Sequence, residues 1–253
     1  MKNFELYKVG GCVRDKILGH DSKDIDFSFE FKSEFTDKLK EKPVEYFYDE
    51  MNNILKKEGF QIFLSTPSCF TTRARFPSGH KYDGLTADFV MCRKEEYLDK
   101  ESRVPTVHIG NIYDDLARRD FRMNAIAEDE NGNLLDPFNG IKDIKLKIIG
   151  CPKSAHKSFS EDHLRMLRAI RFCITKDFQL DYEVWSALKN KNYWKNLHKH
   201  VSIERIREEL HKCFKYNSLR TIRLLTDIEQ DGNISILEYL FESRIWLNPT
   251  IKN

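Results

Sequence analysis

The segment Asp24-Ile25-Asp26-Phe27-Ser28-Phe29 constrains this chain more than any other, because polar and apolar residues alternate through it one by one. A strand turns successive side chains to opposite faces, so Asp24, Asp26 and Ser28 share one face and Ile25, Phe27 and Phe29 the other. Neighbours on one face stand about 6.5–7 Å apart at their α-carbons. Upstream, residues 6–9 are apolar enough for a strand, Gly10-Gly11 breaks it, and residues 13–18 suit a short helix that Gly19 ends. The spacing predicts further strands at residues 61–65, 87–92 and in the region 126–135, where Asn131-Gly132 is a strong hairpin signal. Residues 35–58 read as helical with Pro43 as an early interruption, and residues 76–85 as a loop.

After Gly140 the texture becomes helical, which places a domain boundary there. Ser158 or Ser160 can cap a helix carrying Glu161 and Asp162 in its first turn, and Ser158 to Glu161 has capping-box spacing. On that helix Leu164, Leu167, Ile170 and Ile174 form one apolar sector, with Asp162, Arg165 and Arg168 opposite. A second amphipathic helix starts near Ser202 and repeats Ile203, Ile206, Leu210 and Phe214. The expected fold class is α+β: a small mixed-sheet domain over residues 1–140, then an all-α domain over 141–253.

With 253 residues, 40% of them hydrophobic and 32% charged, the chain can build a globular core. It contains neither an 18-residue apolar run nor an N-terminal signal core, so a cytosolic location is expected. Its six cysteines form no C-x-x-C pair and read as reduced, mainly buried thiols. The net charge of +2 conceals an asymmetry: residues 141–226 hold 19 Lys and Arg against 9 Asp and Glu, a surplus of +10. Residues 227–253 hold 2 against 5, which leaves −5 for residues 1–140. An acidic front half before a basic stretch fits a metal-dependent catalytic module joined to a polyanion-binding one, although a charge bias is also compatible with a solvated face.

Two carboxylates on one strand face can hold a pair of Mg²⁺ ions, whose hard charge prefers oxygen ligands and bridges to phosphate. Gly10 and Gly11 let backbone amides approach a triphosphate, and the helix behind them presents its positive N-terminus. The whole string VGGCVRDKILGHDSKDIDF, residues 9–27, resembles motif A of the tRNA nucleotidyltransferase and poly(A) polymerase family, in the bacterial and eukaryotic class that includes the CCA-adding enzymes. Three more segments are similar to family motifs in the same order: DDLARRDFRMNAIA (114–127), DENGNLLDPFNGIKDI (129–144) and EDHLRMLRAIRF (161–172). SIERIREELHKCF (202–214) looks like a later one.

The resemblance implies a nucleotidyltransferase head followed by a helical neck, a Mg²⁺ cofactor, and attack of an RNA 3′-hydroxyl on the α-phosphate of a nucleoside triphosphate. The implied substrates are CTP, ATP and a tRNA lacking its CCA end; A-adding or poly(A)-type action on other RNAs is the alternative, and an idle RNA-binding module the rival from another class. Asp24 and Asp26 would be the metal ligands, with Asp88 in LTADFVMCRKEEY as the third catalytic carboxylate or else a strand-edge acid. Gly10, Gly11 and Arg14 would face the triphosphate, unless Arg14 is a partner of Asp15 or Asp24. Arg119 would meet the phosphates and Asp120 the ribose hydroxyl, with Arg118 as a flanking ion-pair residue. Asp162 and Arg165 would present an acceptor and a forked donor to the base edge, the bland alternative being a helix-start acid paired with Arg165. Arg168 and Arg171 would extend toward the triphosphate or primer. His20-Asp21 reads as loop, and Trp185, Tyr193 and Trp194 as helical core rather than base-stacking platforms. Two departures stand out: RRDFRMNA carries Arg122 and Met123 where the family has Thr and Ile, and the end at Asn253 leaves an expectation of little beyond the neck.

Overall fold

A computed structural model describes residues 2–22, 24–96 and 106–241, so residue 97 of the Asp88 segment and Asn253 lie outside it. The chain divides into two compact units, Met1–Ile144 and Lys145–Asn253. The first unit runs β1 (Phe4–Val9), α1 (Gly11–Ile17), β2 (Ile25–Phe31), α2 (Ser33–Thr36), α3 (Val44–Lys57), β3 (Gln61–Thr66), β4 (Thr71–Arg75), β5 (Thr86–Met91), β6 (Arg93–Glu96), β7 (Thr106–Ile109), α4 (Ile112–Ala117), β8 (Ala127–Glu128) and β9 (Leu134–Leu135); α5 (Gly140–Leu146) crosses the boundary.

Seven strands form one sheet in the order β3-β4-β5-β2-β1-β8-β9. The β2/β5 pair is parallel and the other pairs antiparallel, which makes the sheet mixed. The alternation in β2 sets its two faces. Ile25, Phe27, Phe29 and Phe31 are buried on one side, where Phe27 stacks on Phe89 at 5.3 Å and Phe29 on Phe4 at 4.7 Å. Helix α3 adds Phe47, Tyr48, Met51 and Leu55 to that core. A smaller cluster of Val9, Cys92, Ile112, Leu116, Ala125 and Ala127 brings in α4.

The local expectations are met unevenly. The helical stretch is interrupted just ahead of Pro43, between α2 and α3, and Pro43 holds the N-cap position of α3 with φ −66°, the geometry its ring imposes anyway. Strand β4 has no counterpart in the sequence reading, because Thr-Thr-Arg-Ala-Arg alternates correctly but offers little apolar surface; Thr72 and Ala74 are buried, Arg73 and Arg75 exposed. Neither Ser158 nor Ser160 caps the basic helix. Ser154 instead caps a separate short helix that contains both serines. The Asn131-Gly132 turn does form, with Gly132 at φ +87° and Asp129 Oδ1 accepting from the amides of Asn131 and Asn133.

The second unit contains β10 (Ile148–Ile149), α6 (Ala155–Glu161), α7 (Leu164–Thr175), β11 (Gln179–Leu180), α8 (Tyr182–Leu188), α9 (Lys191–His200), α10 (Ile203–Gly232) and α11 (Ile236–Phe241). It is helical apart from the parallel ladder of β10 and β11. Leu164, Leu167, Ile170 and Ile174 of α7 are buried, and so are Met166, Ala169, Phe172 and Cys173, since α10 covers a second side of the helix. Helix α10 starts after Ser202 and breaks at Asn217 (φ −159°, ψ 96°), whose Oδ1 recaps the next turn by accepting from the Arg220 amide at 2.9 Å. Trp194 is buried, with Nε1 donating to the Leu188 carbonyl at 2.7 Å. Among the described residues no helix is long and apolar enough to cross a membrane. All six cysteines are free thiols, four of them buried.

Phe29 is fully buried between Phe4 and Phe31. Phe29→Ala should therefore lower unfolding stability by about 3–5 kcal/mol, read as a lower denaturant midpoint with an unchanged slope.

Candidate active site

The candidate residues gather on the face of the sheet opposite the Phe27 core. Asp26 in β2 lies beside Asp88 in the parallel β5, so one register step places two carboxylates side by side. Asp24 is exposed and immediately precedes β2. On the other flank of Asp26 the antiparallel partner is Val9, the last residue of β1 before the Gly10-Gly11 turn. Gly10 has φ +74°, and a Cβ built on it would stand 3.0 Å from Arg119 Nη1 and 3.6 Å from Asp26 Oδ2. Glycine is thus required twice over, for its backbone and for the close approach of two charged groups.

Burial pushes the Asp26 carboxyl up from the usual carboxylate range. Arg119 and Arg73 pull it down, while Asp88 and Asp24 push it up further. The cluster is electrostatically unsatisfied, and its oxygen donors fit a hard divalent cation at Asp24 and Asp26. Asp88 is engaged otherwise: Arg73 Nε and Nη2 donate to its Oδ1 and Oδ2, both at 2.6 Å. Among the described residues no three His, Cys, Asp or Glu side chains are gathered closely enough to hold a metal ion.

Arg119 is held from behind. Its Nη2 donates to Asp115 Oδ2 at 3.0 Å and to Ser28 Oγ at 3.3 Å, and Ser28 Oγ itself donates to Asp115 Oδ2 at 2.7 Å. Arg118 is the second cation on Asp115. Asp115 is fully buried, which by itself would raise its carboxyl, yet the two arginines and the Ser28 hydroxyl hold it far below the carboxylate range. Sequence reasoning passed over Asp115, Ser28 as a ligand of Arg119, and Arg73. A signal existed for the first, because Asp115 stands three and four residues before Arg118 and Arg119 on α4 and its C-terminal turn.

Other expected residues are placed as follows. Gly11 faces Arg14, whose Nη2 would lie 3.6 Å from an added Cβ. Arg14 is buried and turned to its structural partners, Asp15 at 2.9 and 3.0 Å and Asn124 Oδ1 at 2.7 Å. Asp120 is nearly buried, its Oδ1 accepting from the Phe121 amide and from Asn124 Nδ2. The two departures in RRDFRMNA have structural uses: Arg122 Nε donates to Asp143 of α5 at 2.7 Å, and Met123 is fully buried.

In the second unit Asp162 is not on the helix with Arg165, because the chain is extended there between α6 and α7 (φ −145°). Its Oδ1 accepts from the Leu164 amide at 2.9 Å, which makes it a cap of α7, and its Oδ2 lies 3.8 Å from Arg205. Arg165 does not pair with it; its Nη1 donates to Ser158 Oγ at 2.9 Å and lies 3.5 Å from Glu161. Arg168 lies over the Phe172 ring at 5.9 Å. Arg171 lies over the same ring at 4.1 Å and is paired with Glu209 of α10.

A family model described as the poly(A) polymerase head domain matches residues 6–150, a span that holds the whole carboxylate face. The chain belongs to that family. Among the family's relatives, the CCA-adding enzyme of Listeria innocua is 35% identical over 229 residues, 90% of this chain and 51% of the relative. Two solved structures are also similar. The Bacillus stearothermophilus CCA-adding enzyme in complex with CTP has TM-score 0.69 and 27% identity, covering 96% of this chain and 53% of the other. The Thermotoga maritima CCA-adding enzyme complexed with tRNA has TM-score 0.67 and 25% identity, covering 95% and 49%. The chain spans about half the length of the relatives it matches.

Asp115 supplies a stability test with a defined pH signature. Its folded pKa lies below the unfolded value of about 3.9, so its contribution is complete above that pH and is lost as pH falls toward the folded value. Asp115→Asn, which strands two arginines, should cost about 3–5 kcal/mol at pH 7, a deficit that chemical denaturation finds shrinking below about pH 4.

Proposed function

We propose that this chain is a template-independent RNA nucleotidyltransferase that adds C and A residues to the 3′ end of tRNA from CTP and ATP, releasing pyrophosphate. The observation that carries this reading is the gathering of Asp26, Asp88 and Arg119 on one sheet face against the Gly10 turn, in a chain whose relatives bear the CCA-adding name. Asp24 and Asp26 would hold Mg²⁺, with Asp88 as the third carboxylate. Bound divalent ions would supply a lowered pKa at the primer 3′-hydroxyl and charge neutralisation at the pyrophosphate.

The chain's own residues do the rest. The Gly10-Gly11 backbone and the start of α1 receive the triphosphate, and Arg119, fixed by Asp115, meets its charge in a set orientation. Asp120 takes the ribose hydroxyl. Base selection falls to Asp162 as acceptor and Arg165 as forked donor, each held by local partners before nucleotide arrives, and Arg168 and Arg171 add positive charge for the triphosphate or primer. The surplus of +10 over residues 141–226 supports binding of the RNA backbone, a mode that weakens with salt. The head and neck roles assigned to residues 1–140 and 141–253, and a cytoplasmic location, go with this reading.

The decisive assay supplies labelled CTP and ATP, separately and together with Mg²⁺, to tRNA transcripts ending before CCA, after C and after CC. Addition of C, C and A followed by a stop is expected. Incorporation of ATP alone that ignores tRNA shape would transfer the protein to the A-adding or poly(A) side, and no incorporation would favour an RNA-binding module. Asp24→Ala and Asp26→Ala should each abolish incorporation, and thermal unfolding of Asp26→Ala should not fall, because a carboxyl with a raised folded pKa costs stability at neutral pH. Asp162→Ala or Arg165→Ala should relax the CTP/ATP preference more than it weakens RNA binding, measured by competition between the two nucleotides and by filter binding.

A further inference from the structure

Three side chains run acid, acid, base across adjacent strands of the active face. Asp26 is register partner to Asp88 in the β2/β5 ladder, and Asp88 is register partner to Arg73 in the β5/β4 ladder. The Arg73 fork takes both oxygens of Asp88 at 2.6 Å, and the same guanidinium feels the charges of Asp26 and Asp24. A third carboxylate is therefore within one strand spacing of the metal-binding pair, yet its lone pairs point at a cation that the protein itself provides.

The two arginines of this face differ in how they are held. Arg119 is fixed by the fully buried Asp115 together with Ser28. Arg73 is 48% exposed at its side chain, and its hydrogen bonds among the described residues go to Asp88, itself 25% exposed. A half-exposed pair, even a forked one, stays in contact with solvent, so exchanging its partner strands no buried charge. A divalent ion brings twice the charge of a guanidinium to the same oxygens.

We propose that Arg73 is an exchangeable counter-ion of the carboxylate cluster, occupying Asp88 when no divalent cation is bound and yielding Asp88 as an oxygen ligand when one binds. The proposal rests on the reading of Asp24 and Asp26 as metal ligands. It makes metal loading a competition: one of the three carboxylates is neutralised in the absence of metal, and the apparent metal affinity of the cluster is set by how firmly Arg73 holds on. A permanent brace, in which Arg73 stays on Asp88 to aim it at the metal, predicts the opposite sign when Arg73 is removed.

The test uses the full chain with Mn²⁺ alone as probe, no nucleotide or RNA present. Free Mn²⁺ is followed by electron paramagnetic resonance, and the metal-induced rise in melting temperature is recorded in parallel. Arg73→Gln should bind Mn²⁺ about two- to fivefold more tightly than the parent and gain more in melting temperature from the metal. Arg73→Lys, which keeps the charge but not the fork, should fall between the two and serves as the readout if the glutamine variant is poorly folded. Equal or weaker Mn²⁺ binding by these variants, with Asp26→Ala still abolishing it, would overturn the counter-ion role and leave the metal site standing. No Mn²⁺ binding by the parent, or binding indifferent to Asp26→Ala, would overturn the metal reading and the counter-ion with it.

Discussion

The buried carboxylate of Asp115 organises the active face. A charge with no solvent exposure is tolerable only when its partners are supplied in full, and here they are Arg118, Arg119 and the Ser28 hydroxyl. Asp115 meets part of that demand by joining α4 to β2 at Ser28, two residues beyond Asp26 and on the same face. The arginine that Asp115 captures then stands against Gly10 and within reach of the Asp26 charge. One buried acid thus fixes the place of a helix, the orientation of a guanidinium and the electrostatics of its neighbour.

What could be read in the sequence depended on whether the signal was local. The two faces of β2 were legible because period-two alternation between acids and aromatics admits no other element. The start of α10 near Ser202 was legible because Ile203, Ile206, Leu210 and Phe214 recur at helical spacing, and the structure adds Ser202 as its cap. Strand β4 was not, since its burial amounts to Thr72 and Ala74 and its pairing with β5 is a tertiary fact. The break at Asp162 was hidden for a related reason: the apolar periodicity of residues 164–174 says where α7 packs, not that the preceding turn belongs to another helix capped by Ser154.

The site divides along the same line. The Asp24 and Asp26 spacing and the Gly10-Gly11 break lie within one short stretch, so residue chemistry alone exposes them. The partners that tune them do not. Ser28 and Asp115 are 87 residues apart, and Arg73 and Asp88 meet through a strand register that no spacing rule reveals. Residues of this second kind adjust the Asp26 carboxyl, which burial already raises, and set where Arg119 points. The same holds in the second unit, where Ser158 and Glu161 hold Arg165 and leave Asp162 to cap α7.

The carboxylate face is a strained arrangement in a specific sense: Asp24, Asp26 and Asp88 repel one another, and burial raises the Asp26 carboxyl further. Such a face persists because its opposite side is bound into the aromatic core. Phe27 on Phe89 and Phe29 on Phe4 lock the same strands whose alternate residues carry the acids. A slip of β2 by one residue would turn Asp26 into the core and Phe27 to solvent, exchanging two favourable burials for a desolvated charge. The register that builds the core is therefore the register that builds the site, and the repulsion between the acids has no route of escape through the backbone. Relief must come from cations, and the protein supplies two held in different ways: Arg119 after α4, which the buried Asp115 holds, and Arg73 on β4, half-exposed and paired with Asp88.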